Sequence, residues 1–121
     1  MIKVPGFLLR RLYVKGSLRN TDEGFELKLR NSLGSGYANG LLPLKIDGEE
    51  LPAESSSFSV DDKKLGFTEV SKDNPASLAM NRDATISVAG RTLPEGPHKV
   101  TIGFVVVGLG DLSFDVTDNI A

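Results

Sequence analysis

His98 is the only histidine in the chain, and cysteine is absent. Any hydrolase triad would therefore have to use His98 as its base, a His-rich zinc or iron site cannot be assembled, and thiolate nucleophiles or ligands are excluded. His98 follows Pro94-Glu95-Gly96-Pro97 at the entrance to a strand. A partly exposed structural imidazole holding a neighbouring carbonyl is the expected role there. Gly34-Ser35-Gly36-Tyr37-Ala38-Asn39-Gly40 is rich enough in glycine to cradle a phosphate, but no Lys follows and the next segment reads as a strand. Gly108-Leu109-Gly110 fails the dinucleotide pattern because Ser113 replaces the last glycine and no helix follows. Both are read as loops. Asp111, Asp115 and Asp118 surround the last strand, yet the first two share one face and Asp118 takes the other, so convergence on one cation is not expected. Glu49 and Glu50 are adjacent beside a turn and face opposite ways, which suits solvation and not paired acid and base work. No catalytic residue and no metal ligand is assigned to this chain.

The elements that must position these residues are strands. Phe25, Leu27 and Leu29 alternate with Glu26, Lys28 and Arg30, and the same period of two returns in Leu42, Leu44 and Ile46, in Ala84, Ile86 and Val88, and in Leu112, Phe114 and Val116. Asp47-Gly48 predicts a tight hairpin turn at positive φ. Asp61-Asp62-Lys63-Lys64 and Gly108-Leu109-Gly110-Asp111 predict two more hairpins, and Tyr13 reads as part of a strand. The stretch Asn74 to Arg82 is compatible with a helical turn or a strand edge. About nine strands without a crossover helix predict an all-β fold, a two-sheet antiparallel β-sandwich of jelly-roll-like form, with residues 1–121 as one domain.

Fourteen basic and sixteen acidic residues leave a net charge of −2 with no long run of either sign. Neither nucleic acid nor a membrane surface is expected as partner. Arg10 and Arg11 interrupt what would be the apolar core of a secretory peptide. The apolar run Val100 to Gly110 is far shorter than the roughly twenty residues of a spanning helix. With no cysteine, a cytoplasmic location is the expectation.

One feature goes beyond an isolated sandwich. Val100, Ile102, Phe104 and Val106 suit a core, but Val105 and Val107 make the opposite face apolar too. That face requires cover, from the segment Val4 to Leu9 or from another subunit. The candidate interface or pocket-wall residues are Gly34, Ser35, Gly36, Tyr37, Val105 and Val107.

The segments Phe7 to Leu18, Leu29 to Gly36, Leu42 to Pro52 and Gly108 to Asp118, with their turn motifs in this order, resemble the small β subunits of bacterial C-glycoside deglycosidases. The resemblance implies a non-catalytic small subunit of a heteromeric carbon–carbon lyase. Its partner would be a large (β/α)8-barrel α subunit, similar to sugar-phosphate isomerases, assembled as αβ pairs. That partner would carry a divalent metal, manganese, with no cofactor in this chain. The implied substrates are 3″-oxo C-glycosides of flavonoids and related aromatics, cleaved by proton removal beside the ketone and elimination of the aglycone. The rival readings are a stand-alone carbohydrate-binding sandwich using Tyr37 and a self-sufficient hydrolase using His98.

Overall fold

Phe25, Leu27 and Leu29 turn one face of a strand into the protein interior, and Ile86 and Val88 meet them from the neighbouring strand. The alternation there builds the layer that it predicts, but Leu42 does not share a face with Leu44 and Ile46: those two are buried, whereas Leu42 lies outside the strands and folds over Gly103. The computed structural model describes residues 5–32, 36–61, 63–78 and 81–120. Among them run one short helix, α1 (Gly6–Leu9), and eleven strands: β1 (Arg19–Asn20), β2 (Gly24–Arg30), β3 (Gly36–Leu41), β4 (Lys45–Ile46), β5 (Glu49–Glu50), β6 (Ser56–Val60), β7 (Lys63–Gly66), β8 (Ala76–Leu78), β9 (Asp83–Ala89), β10 (Gly96–Val106) and β11 (Gly110–Ile120). The first sheet has the order β1-β2-β9-β6-β7. In the second, β10 pairs with β11 along one edge, while the other edge meets β4 and β3, which carry β5 and β8 outward. Every pairing is antiparallel. The fold is an all-β, two-sheet sandwich.

The core between the sheets includes Phe25, Leu27, Leu29, Leu44, Ile46, Val100 and Ile102, all essentially inaccessible. Each such side chain contributes about 1.5–3 kcal/mol when withdrawn from water. The Asp47-Gly48 hairpin turns at φ 53° and 87°, as a two-residue turn requires. Gly24 has a different reason to be glycine. A Cβ there would lie 1.8 Å from the Val88 carbonyl oxygen, so the β2–β9 pairing itself excludes a side chain.

Two local expectations change. Tyr13 makes only an isolated bridge to Leu29, because the preceding chain coils through α1 and a 3₁₀ turn, Arg10–Leu12. Leu9 and Leu12, three residues apart, share the buried side of that coil, a spacing a strand would place on opposite faces. The stretch from Gly34 to Gly40 is not a loop in its described part. Residues 36 to 41 form β3, because their backbone pairs with β10 on one side and β8 on the other. Gly34 and Ser35 lie outside the described residues. Ala76–Leu78 is a strand edge, β8. No helix among the described residues is long and apolar enough to cross a membrane.

The N-terminal segment closes one open side of the sandwich. α1 packs on β11, and Arg10 Nε donates to the Asp115 carbonyl at 2.9 Å, engaging backbone on the free edge of that strand. The chain then follows the edge of β2: the Val14 N–H donates to the Lys28 carbonyl, and the Lys28 N–H to Ser17 Oγ.

Candidate functional site

Two regions gather the residues that could form a site: the polar end of the β10–β11 ribbon and the outward face where β3 meets β10. At the polar end, His98 and Asp118 are cross-strand partners on the inward side of the ribbon. His98 is 8% exposed, buried and not partly exposed as expected at a strand entrance, because both of its ring nitrogens turn to partners within the protein. Its Nδ1 lies 2.7 Å from Asp47 Oδ2 and its Nε2 2.7 Å from the Pro94 carbonyl oxygen. Both partners are acceptors, so the geometry is satisfied in full by an imidazolium that donates twice. The Pro94 carbonyl and then the Asp47 carboxylate raise the His98 pKa, against the effect of burial. Asp47 in turn accepts the Lys99 N–H on Oδ1 at 2.9 Å. That bond first, and His98 second, lower its pKa.

Asp118 is 7% exposed. Its Oδ2 accepts the Tyr13 hydroxyl at 2.5 Å and the Gly16 N–H at 2.8 Å, and its Oδ1 accepts the Asn119 N–H at 2.8 Å. Burial works against ionisation, but the donors, led by Tyr13, outweigh it and hold the carboxyl below its ordinary range. Burial first, and Asp118 second, keep the Tyr13 phenol neutral well above its usual range.

This arrangement is a pair of cross-links. His98 ties the segment before β10 to the β4–β5 hairpin, and Asp118 ties the N-terminal coil to β11. A base must have a lone pair free for substrate, and here both ring nitrogens are engaged with the protein's own acceptors. Among the described residues, no three of His, Asp and Glu converge as metal ligands. Asp111 and Asp115 fall on the outward side of β11, opposite Val105 and Thr101, and Asp115 accepts the Thr101 hydroxyl at 2.8 Å.

The outward face of β3 and β10 has a different character. Leu41 stands opposite Phe104 and Gly40 opposite Val105, but Ala38, not Asn39, stands opposite Val106. This bulge shifts the alternation by one residue. Ala38 therefore packs on the core, and Tyr37 turns outward, 60% exposed. Without the bulge Tyr37 would point inward. The Val107 N–H donates to the Tyr37 carbonyl at 3.2 Å, and Val107 is 63% exposed beside it. Val105 lies against Gly40, where a Cβ would sit 3.4 Å from Val105 Cγ2. Leu42 continues the strip by folding over Gly103, so closely that a Cβ there would be 2.8 Å from Leu42 Cδ1. The structure thus brings Tyr37, Val105 and Val107 onto one surface, continuous with Gly36 through β3. α1 packs on β11, and the strip around Tyr37 and Val107 stays exposed.

Sequence reasoning did not find the Asp47–His98 and Tyr13–Asp118 contacts. Asp47 is visible only as a turn residue. Tyr13 and Asp118 are 105 residues apart, and no local spacing signals such a pair.

A family model described as hydroxymethylglutaryl-CoA reductase, N-terminal domain, matches residues 8–121. No curated protein matches the chain. The family match overturns the resemblance to C-glycoside deglycosidase β subunits, and with it the lyase function on 3″-oxo C-glycosides. The physical reason is plain in the fold. Asp47-Gly48 and Gly108 to Asp111 are turn chemistry that hairpins of this length require on any antiparallel sandwich, so their order marks the fold and not the family. The barrel partner and its manganese followed from that resemblance alone. What the family match does support is an enzyme-related protein.

Proposed function

Because this chain belongs to the hydroxymethylglutaryl-CoA reductase N-terminal domain family, we propose that it serves such a reductase as a docking domain, while residues outside these 121 carry out the reduction. The observation that carries this reading is the outward strip of Leu42, Val105, Tyr37 and Val107, with Tyr37 and Val107 side by side and mostly exposed. An exposed aromatic set among aliphatic neighbours is the usual composition of an interface centre. The occupant in this reading is the catalytic body of the reductase; the family's description of an N-terminal domain supports it. Support from the polar end is indirect: His98 and Asp118 spend their polar atoms on internal cross-links, leaving the domain suited to rigidity.

The test is the double variant Tyr37→Ser, Val107→Asp in the whole reductase, alongside the isolated chain. The variant is expected to weaken association with the catalytic body and lower reductase activity, and the isolated chain is expected to reduce no hydroxymethylglutaryl-CoA. Reduction by the isolated chain, or a double variant with assembly and activity unchanged, would overturn the proposal.

A further inference from the structure

The N-terminal coil closes the side of the sandwich between β1 and β11. On the opposite side, where edge strand β7 of one sheet approaches edge strand β8 of the other, a cleft of about 480 Å³ opens. This is within the range of small-molecule sites. Its floor is part of the core: Phe58 and Ala76 are buried, and Val60 and Leu65 pack on the core cluster. Pro75 completes the apolar wall, with Ser77 beside it.

Charge at the mouth is asymmetric. Register places Lys63 opposite Val60 and Leu65 opposite Phe58, so Lys63 stands on the inward face of the sheet, with the apolar residues of the cleft. Asp61, at the hairpin turn, is engaged by Arg82 at 3.3 Å. Lys63 has no ion-pair partner among the described residues. An inward lysine on an edge strand also discourages edge-to-edge pairing. Edge protection alone does not account for an apolar cleft beside it.

We propose that this cleft binds a small amphipathic carboxylate. The ligand's apolar body would lie against Phe58, Val60, Leu65 and Ala76, and its carboxylate would meet the ammonium of Lys63. Both parts match the lining: the apolar floor takes the body of the ligand, and Lys63 at the mouth adds a modest attraction for its carboxylate.

The test uses octanoate as probe, followed by amide and methyl NMR shifts of the chain, with octylamine and acetate as controls. Saturable shifts at Phe58, Val60, Leu65 and Ala76 with octanoate are expected, with neither control reproducing them. Lys63→Met should weaken octanoate about threefold to fivefold, the scale of one exposed ion pair, and Lys63→Arg should restore it. Lys63 is exposed, so these variants keep the fold. Octylamine binding as tightly as octanoate, an affinity indifferent to Lys63→Met, or no shifts in the cleft would each overturn the proposal. None of these outcomes bears on the docking strip, which lies on the outward face of the other sheet.

Discussion

Replacing Tyr13 with Phe removes one hydroxyl and keeps the ring, and its effect can be worked from the contacts of Asp118. That hydroxyl donates at 2.5 Å to a carboxylate that is 7% exposed and accepts two backbone N–H groups besides. Hydrogen bonds to charged groups contribute about 1.5–3 kcal/mol. Tyr13 is half-buried, so about 2 kcal/mol is the expected loss, or about 8 °C in Tm for a domain of this size. Asp118→Asn should cost about 3 kcal/mol, because one of its three donors then faces an NH₂ group. The two changes share one contact, so the double-mutant cycle should give a coupling of about 1–2 kcal/mol. The folded Asp118 ionises at lower pH than the unfolded one, so on acidification the unfolded chain takes up the proton first. Its contribution is therefore present above about pH 4, the unfolded value, and lost as pH falls through the folded value. Urea unfolding of the four proteins between pH 8 and pH 3 measures this. A coupling below about 0.3 kcal/mol at pH 7, or one that persists unchanged at the acid limit, would refute the reasoning.

His98 should show the opposite pH sign. Its folded pKa is raised, so its stabilisation is complete below about pH 6.5, the unfolded value, and is lost as pH rises through the folded value. His98→Gln should flatten the stability profile in that window, as measured by thermal unfolding in steps of pH. Gly24→Ala should cost about 3 kcal/mol or more, because its Cβ has no room beside the Val88 carbonyl. Chemical denaturation of that variant reads the cost, and a loss below about 1 kcal/mol would show that the β2–β9 edge can shift.

The sheets were legible because Phe25 to Arg30, Ala84 to Val88 and Leu112 to Val116 alternate with a period of two, and a half-buried strand needs no other instruction. The hairpins at Asp47-Gly48 and Gly108 to Asp111 were legible for a similar reason, as positive φ is written in Gly and Asp. The N-terminal coil was not. Its run of Phe7, Leu8 and Leu9 fits a strand or a helix equally until the buried pair Leu9 and Leu12 is seen. Within the candidate interface, Val105 was legible as the odd apolar residue on the outward side of β10, with Val107 just beyond the end of that strand. Tyr37 read as a loop residue, because the bulge at Asn39 that turns it outward exists only in the pairing of β3 with β10. Turn motifs could not separate one sandwich family from another, since hairpin geometry imposes them on all.

The proposed docking of the outward strip onto the catalytic body is tested most directly by amide hydrogen exchange, compared between the isolated chain and the whole reductase. Tyr37 to Leu41 and Val105 to Leu109 should exchange more slowly in the reductase, with β6 and β7 unchanged. Equal exchange across the strip in both samples would contradict the account.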